Sequence, residues 1–447
     1  RPSPIRAMPP PSSVRCVLII AAVASTGAVA RPGGAGFAFG AARPVPSAAV
    51  EVVREALHSA PPPLAPADSL HAGRWVKLIC GASNQDVPAI RNLALVFTLS
   101  GVDCIDLCAD AAVLAAAEEG VAAACRIGES ARVPVRAPWL MLSVQDGEDD
   151  VHFRKATFDA SACPAECPRP CVAVCPADAI AMPVAGEGSV EHAQGGMDAL
   201  PHGVAEDRCY GCGRCVPVCP YDRINTYLHA TDLAHVRELL HRVDALEIHT
   251  RPGHVGGGQF AALWAELGVE ATRALELLAI SAPDLGPTMG EDMRALDAIV
   301  RGEGSQAAAQ LPLMWQLDGR PMSGDVGKGA SAPAVELAAR VIAEHPVPLG
   351  EGVHFTSVAG GANAHTAHRL AVRGLLNTEG GVHGVAFGSY ARRAIGRVLA
   401  ELPEGTFNVE ENGAVFARAL ELAHELVAGV KHASVIEDDS KLLPVDE

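Results

Sequence analysis

The stretch WVKLICGASNQDVPAIRNLALVFTLSG, residues 75–101, contains a complete strand–helix unit. The apolar run from Val76 to Gly81 predicts a buried strand. The segment from Asp86 to Ser100 predicts a helix, because Asp86 can cap its start and Gly101 can end it. A strand followed directly by a helix is the unit from which α/β folds are built.

The same rhythm repeats along most of the chain, with short apolar runs alternating with segments of helical period. Eight such runs predict a (β/α)8 barrel, with a doubly wound open sheet as the alternative, since periodicity cannot distinguish a closed sheet from an open one. The runs are Val76–Gly81, Cys104–Leu107, Trp139–Val144, Ala245–His249, Leu277–Ser281, Leu313–Leu317, Val353–Val358 and Val382–Phe387. Further helices are predicted over Asp232–Val243, Val335–Ala343, Arg392–Leu402 and 413–431.

Eight of the thirteen cysteines fall in two short runs. The run from Cys209 to Pro220 has the spacing C-x2-C-x2-C-x3-C-P, which is typical of bacterial ferredoxins. The run from Cys163 to Pro176 has three-residue gaps throughout and departs from that pattern, so zinc binding or disulfides stay open as alternatives. Gly211 and Gly213 favour clusters, because backbone without Cβ can approach inorganic sulfide closely.

In two-cluster ferredoxins, the fourth cysteine of each run binds the other cluster. The spacing therefore predicts two 4Fe-4S clusters, the first held by Cys163, Cys167, Cys171 and Cys219, and the second by Cys209, Cys212, Cys215 and Cys175. This module, over residues 158–228, interrupts the barrel pattern after its third strand. Insertions there emerge at the C-terminal face, where barrel active sites lie.

The strand ends give candidates for that face: Ser83, Asn84, Asp110, Asp146, His249, Ser281, Asp318, Arg320, Asn363, His365, Ser389, Tyr390 and Arg392. The glycine-containing loops at 360–363 and 388–390 occupy the usual phosphate-binding place of this fold, so a phosphate or a flavin is possible there. The same glycines are also consistent with ordinary turns that bind no ligand. No motif in the chain is specific for catalysis.

Composition sets the domain plan and excludes one class of partner. The chain has 447 residues and a net charge of −17, the opposite of what a nucleic-acid backbone binder needs. The apolar stretch from Cys16 to Ala24 resembles a signal peptide, and the acid-free stretch at 31–49 resembles a transit segment. Together they predict a disordered leader over residues 1–70 and delivery to the chloroplast stroma. The predicted domains are then the barrel over 71–157 and 229–435, the module at 158–228, and a disordered acidic tail at 436–447.

Four segments resemble the light-dependent period modulator LdpA family of cyanobacteria: WVKLICGASNQDVPAIRNLALVFTLSGVDCIDLCAD (75–110), LMLSVQDGEDDVHFRKATFD (140–159), CPAECPRPCVAVCPADAI (163–180) and RCYGCGRCVPVCP (208–220). The likeness includes the unusual first cysteine run and continues into the C-terminal region. It implies an iron–sulfur protein that senses cellular redox state as a proxy for light and adjusts the circadian clock. The leader departs from the family pattern.

Three functional hypotheses follow. The first is a redox-responsive regulatory protein that exchanges electrons with ferredoxin or the quinone pool, or that signals to a regulatory partner, with the barrel as scaffold. The alternative is an iron–sulfur oxidoreductase that delivers electrons to a flavin or small substrate in the barrel mouth, contacted by His249, Asn363 or Arg392. A third is that the clusters only hold the insertion together.

Overall fold

The computed structural model describes residues 44–433, except for 176, 183–202, 230–231, 269–272, 274, 303–308, 320–326, 350–351, 377 and 379. The predicted leader before residue 44 and the predicted acidic tail lie outside the described residues. Arg320 and Pro176 lie outside them too.

The strands of the described part divide into a barrel and an insertion. Eight parallel strands form a closed barrel in the order β1-β12-β11-β10-β9-β8-β3-β2. In chain order the strands are β1 Trp75–Ile79, β2 Cys104–Cys108, β3 Trp139–Gln145, β4 Arg154–Thr157, β5 Ile180–Ala181, β6 Gly203–Val204, β7 Asn225–Leu228, β8 Ala245–His249, β9 Leu277–Pro283, β10 Leu313–Gly319, β11 His354–Val358 and β12 Gly384–Phe387.

Helices surround the barrel and follow most of its strands. The described helices are α1 Ser47–Leu57, α2 Pro66–His71, α3 Val87–Leu99, α4 Ala111–Ala131, α5 Pro170–Val174, α6 Cys215–Val218, α7 Leu233–Leu239, α8 His254–Gly257, α9 Gln259–Leu267, α10 Met289–Arg301, α11 Ala332–Glu344, α12 Thr366–Val372, α13 Ser389–Leu399 and α14 Gly413–Lys431. Within the described ranges, we find none with the length and apolar character that crossing a bilayer requires.

The closed barrel confirms the leading fold prediction, and all eight predicted runs are barrel strands. Closure depends on β1 pairing with both β2 and β12, with Trp75 opposite Gly384. The open-sheet alternative is therefore wrong, since an open sheet has two edge strands with one unpaired side each, whereas all eight barrel strands here have two partners. The Asp86 cap is also confirmed, because its carboxylate accepts the backbone N–H of Ala89 at 3.1 Å.

The first helices correct the predicted leader, which extends too far along the chain. Residues Ala49, Val53 and Leu57 are buried on one face of α1, which packs against α14 and α4. Leu70 at the end of α2 joins a buried cluster with Trp75, and the neighbouring His71 ring meets Phe355 edge-on at 5.1 Å. Burial of these apolar side chains stabilises folded structure well before residue 71.

The cysteine-bearing insertion leaves the barrel after β3 and returns before α7, as predicted. Its root is an antiparallel ribbon in which β4 pairs with β7, from Arg154 opposite Leu228 to Thr157 opposite Asn225. Residues 154–157 therefore belong to the insertion rather than to the barrel, which corrects the predicted start at 158. A second short ribbon pairs β5 with β6.

Gly384 is a sensitive point of barrel closure, because a Cβ there would lie 2.4 Å from the Trp75 carbonyl oxygen. We expect Gly384→Ala to lower the free energy of unfolding by about 1–3 kcal/mol through overpacking. Anaerobic urea unfolding measures this. The matched control is Gly396→Ala within α13, where a Cβ meets nothing within 4 Å. The control should gain about 0.5–1 kcal/mol, and equal losses in both variants would contradict the explanation.

Candidate functional site

The eight cysteines of the insertion form two groups in the structure. Burial raises the pKa of the Cys163 thiol, and nearby thiols raise it further: Cys167, Cys171 and Cys219. Burial likewise raises the pKa of Cys215 to about 12, with added effects from Cys212, Cys209 and Cys175. In each group, three cysteines of one run lie close enough to interact electrostatically with the fourth cysteine of the other run.

Backbone N–H groups point at several of these sulfurs. The N–H of Ala156 donates to Cys209 Sγ at 3.4 Å, and that of Arg223 donates to Cys219 Sγ at 3.3 Å. The N–H of Ala179 donates to Cys175 Sγ at 3.3 Å. Donors of this kind favour the thiolate form, which is the form that binds iron. Two groups of four thiols with backbone donors therefore fit iron–sulfur clusters.

The two glycines of the second run differ in their surroundings. Both have a left-handed backbone, with φ of +72° at Gly211 and +68° at Gly213. A Cβ on Gly211 would lie 2.2 Å from the Arg154 carbonyl oxygen and 2.5 Å from that of Val151, whereas one on Gly213 would meet nothing within 4 Å. Gly211 thus allows the cysteine loop to pack on the root of the insertion.

Lys155 fixes the insertion to the barrel. Its ammonium is buried and donates to Gln85 Oε1 at 2.6 Å and to the Glu206 carbonyl at 2.8 Å. The N–H of Gln85, in the loop after β1, donates to the Asp207 carbonyl at 2.9 Å. These bonds hold the start of the second cysteine run against the C-terminal end of the barrel.

A small cavity of about 90 Å³ lies at that end of the barrel. Six of the sequence candidates line it: His249, Ser281, Asp318, Ser389, Tyr390 and Arg392. It has room for a few waters or a small polar ligand. Drug-sized ligands occupy pockets of about 300 Å³ or more.

A chain of buried charges runs from the barrel interior to this cavity. Lys77 is ion-paired with Glu247, and its Nζ lies 3.6 Å from Asp106 Oδ2. Glu247 Oε1 lies 3.1 Å from His249 Nε2, and His249 Nδ1 lies 3.2 Å from Asp150 Oδ2. Burial alone would lower the pKa of His249, but its hydrogen bonds to the two carboxylates raise it well above the ordinary value.

Asp318 and Ser281 form a second polar group in the cavity. Ser281 Oγ donates to Asp318 Oδ2 at 2.6 Å, and Gln316 Nε2 donates to Glu247 Oε1 at 2.9 Å. Burial raises the pKa of Asp318 to about 6. This carboxyl group can therefore exchange a proton near neutral pH.

Tyr210 connects the second cysteine run with the cavity. It follows Cys209 directly, its side chain is buried, and its ring lines the cavity. The guanidinium carbon of Arg392 stands 4.1 Å from the ring centroid. Arg392 Nη1 also donates to the Ile79 carbonyl at 2.6 Å, so the tyrosine and the end of β1 share one cationic partner.

The other sequence candidates have structural partners. Asp110 caps α4, Asn84 Nδ2 donates to the Cys80 carbonyl at 2.9 Å, and Ser83 Oγ donates to the His152 carbonyl at 2.8 Å. Other contacts hold the remaining loops in place: His254 Nδ1 with Asp146 at 2.6 Å, and Asn363 Nδ2 with the Gly327 carbonyl at 2.7 Å. His365 is exposed.

Sequence reasoning missed several cavity residues: Asp106, His152, Tyr210, Glu247 and Gln316. Three of them interrupt otherwise apolar strands, in CIDLC, ALEIH and LMWQL, and so does Lys77 in WVKLI. A polar residue inside a barrel strand was the available signal, because the inward-facing positions of a barrel form its core. Nothing in the local pattern around Tyr210 indicates that its side chain enters the barrel mouth.

A larger groove of about 780 Å³ runs between the insertion and α13, and Cys175 is among its lining residues. It is notable for its guanidinium groups, contributed by Arg208, Arg392, Arg393 and Arg397. The acids along it are Asp86, Asp178 and Glu404. Four guanidinium groups against three carboxylates give these lining residues a small positive balance, in a chain of net charge −17.

Two family models match the parts of the chain just described. The LdpA Fe-S cluster-binding domain matches residues 163–230, and the Light dependent period A C-terminal domain matches residues 239–429. The fold and site therefore define an iron–sulfur cluster-binding protein on a (β/α)8 barrel.

The chain belongs to the Light dependent period A family, which confirms the resemblance found in its sequence. It is 39% identical over 382 residues to Light dependent period A of Synechococcus elongatus, an alignment that covers 82% of this chain and 94% of that protein.

Solved structures add little. An open form of tryptophan synthase from M. tuberculosis matches at 15% identity and a TM-score of 0.34, covering 81% of this chain and 96% of that one. A ligand-free form of that enzyme matches at 12% identity and a TM-score of 0.32, covering 86% and 98%. Scores this low do not establish a shared fold, so the barrel assignment depends on the strand order itself.

Gly211 and Gly213 give a matched test of how the module docks. We expect Gly211→Ala to lower the iron retained per chain, because its Cβ would collide with the Arg154 carbonyl. Gly213→Ala should cost only the left-handed backbone preference, about 1–2 kcal/mol. Iron analysis of anaerobically purified protein, with unfolding curves, compares them. Equal iron loss in the two variants would contradict the packing argument.

Proposed function

We propose that this protein is a redox-responsive regulatory protein with two 4Fe-4S clusters. One cluster would be held by Cys163, Cys167, Cys171 and Cys219, and the other by Cys209, Cys212, Cys215 and Cys175. The observation that carries the proposal is that Cys219 is close enough to affect the charge of Cys163, and Cys175 that of Cys215, around one shared apolar cluster. This exchange of the fourth cysteine is what two-cluster ferredoxins use.

Each cluster, when bound, would supply one-electron chemistry at a potential that the surrounding protein tunes. The residues that tune it are the backbone donors to sulfur, such as Ala156 to Cys209 and Arg223 to Cys219. A change in the charge held by either cysteine group alters the field at the neighbouring surface. A partner that docks there would bind one redox state better than the other.

The arginine-lined groove is the surface we propose for an electron-transfer partner. It includes Cys175 of the second group, so a partner seated there would lie beside that cluster. Its guanidinium groups complement an acidic carrier such as ferredoxin, and such charge pairs accelerate association. The transit-like leader would bring the protein to the chloroplast stroma, where such a carrier operates. A role in setting circadian period would follow the family.

The cluster assignment predicts that variants group by spatial set rather than by sequence run. Cys219→Ser should give the same EPR loss as Cys167→Ser, and Cys175→Ser the same loss as Cys212→Ser. Each change should remove one cluster and so reduce iron from about eight to about four per chain. A further loss of iron is expected because the two groups share one small core around Ile180 and Ile224.

The control is Cys125→Ser in α4, which lies outside the insertion and should retain full iron. Anaerobic reconstitution followed by EPR and iron analysis provides the readout. A Cys219→Ser spectrum that matches Cys212→Ser would show the assignment to be wrong. Zinc bound in place of iron would contradict the proposal of two 4Fe-4S clusters.

The partner proposal predicts a charge effect confined to the groove. Replacing both Arg393 and Arg397 with Glu should slow electron exchange with a reduced acidic ferredoxin about tenfold at low salt, with the difference shrinking as salt rises. Stopped-flow absorbance measures the rate. The control replaces both Arg373 and Arg418 with Glu. These arginines form ion pairs with Glu336 and Glu401 outside the groove. Equal slowing in both double variants would argue against docking there.

An oxidoreductase is the second candidate function, and Tyr210 is the observation that favours it. Its backbone belongs to the second cysteine run while its ring lines the barrel cavity beside Arg392. The cavity volume of about 90 Å³ suits a small substrate better than an isoalloxazine ring. Flavin released on acid denaturation would favour this function, whereas reversible one-electron signals without flavin would favour the sensor. Loss of folding without any redox response would indicate purely structural clusters.

A further inference from the structure

Three side chains at the barrel mouth form a second group of potential metal ligands, separate from the cysteines. Asp150, His152 and His249 each offer one ligand atom, and these atoms all lie within 4.8 Å of one another. Asp150 and His249 are buried, and His152 is partly exposed, at 30% of its side chain. Two histidines with one carboxylate form a recurrent site for divalent first-row metals.

Neighbouring contacts hold each of the three side chains in place. The backbone N–H of His152 donates to Asp150 Oδ1 at 2.8 Å, and Ser83 fixes the His152 carbonyl. Phe153 meets the His249 ring edge-on, with centroids 5.2 Å apart. His152 and His249 also approach each other edge-on, at 5.3 Å. A site whose ligands are ordered in advance loses little entropy when an ion binds.

Contacts on the far side of His249 match those of a metal-binding histidine. Such histidines present one ring nitrogen to the metal and donate the other N–H to a carboxylate. Here Nδ1 faces Asp150 and Nε2 lies 3.1 Å from Glu247 Oε1. Glu247 is fixed in turn by Lys77 and by Gln316.

The cavity provides room for the remaining ligands of an ion. His152 and His249 line it, together with Gln316, Ser281 and Asp318. Gln316 is 2% exposed, and its Oε1 has no hydrogen-bond partner among the described residues. A buried carbonyl oxygen of this kind usually accepts from an ordered water or a ligand. The Arg251 guanidinium also approaches this carboxylate, with Nη1 3.9 Å from Asp150 Oδ1, beyond hydrogen-bonding distance.

We propose that Asp150, His152 and His249 bind one divalent transition-metal ion, with open coordination positions facing the barrel cavity. Catalytic zinc has three protein ligands and keeps a position for water, and the 2-His-1-carboxylate triad leaves positions open in the same way. The ion would act as a Lewis acid for a small oxygen ligand in the cavity. This site uses none of the eight cysteines, so its metal content can be measured separately from that of the clusters.

The test uses the full chain with its clusters reconstituted under anaerobic conditions. Equilibrium dialysis against buffered Zn²⁺, followed by zinc, iron and sulfide analysis, should find one zinc per chain with no loss of iron. His152→Ala should abolish that uptake, and Glu247→Gln should weaken it about 10–100-fold by disturbing the support of His249. His365→Ala is the control, because it removes an exposed histidine outside the triad.

Zinc-edge X-ray absorption identifies the ligands directly. The expected spectrum contains only nitrogen and oxygen at about 2.0–2.2 Å, and no sulfur near 2.3 Å. Sulfur ligation with loss of iron would place the zinc on the cysteines and overturn the inference. No uptake by protein with full iron would overturn it as well, while leaving the cluster proposal intact. Unchanged uptake in His152→Ala would exclude this triad.

Discussion

The buried ion pair between Lys77 and Glu247 is the constraint on which the arrangement of the barrel mouth depends. The two side chains are about 1% exposed, and a lone charge in such a place would cost about 3–5 kcal/mol of stability. Glu247 is therefore held in contact with Lys77 through its Oε2 atom. This contact also determines that its Oε1 atom faces His249. Because His249 contacts Asp150, the position of the insertion root is linked to a charge inside the barrel.

Several polar contacts attach the described part of the insertion to the barrel. Lys155 bonds to Gln85 and to the Glu206 carbonyl, and Tyr210 packs under Arg392. Polar bonds have strict geometry, so they define one orientation of the module over the cavity. Such contacts can also respond to charge, because the strength of an ion contact changes with the field around it. A change of charge at the cysteines would therefore reach the barrel through the residues that attach the module to it.

The fold was largely readable from the sequence because its signals are local. Apolar runs and the Asp86 cap predicted the eight strands and the long helix that follows the first of them, and the cysteine spacing predicted two groups of four. The cavity was not readable in the same way. Lys77 and Glu247 are 170 positions apart and meet only after the barrel closes, and Tyr210 enters the mouth only because Gly211 lets its loop pack on the insertion root. The helix at 66–71 was missed because its Leu70 joins a buried cluster with residues far along the chain, including Phe355.

Arg392 and Tyr210 each line both the cavity and the groove, so this stacked pair connects the two proposed sites directly. Arg392 Nη1 is held by the Ile79 carbonyl, its Nη2 lies 3.3 Å from Ser389 Oγ, and its face covers Tyr210. An acidic partner in the groove would attract the same guanidinium and compete with these contacts. Any displacement would uncover the Tyr210 ring and alter the charge at the cavity, so partner binding and cavity chemistry would be coupled. By thermodynamic linkage, a ligand in the cavity would then change the affinity for the partner by the same factor.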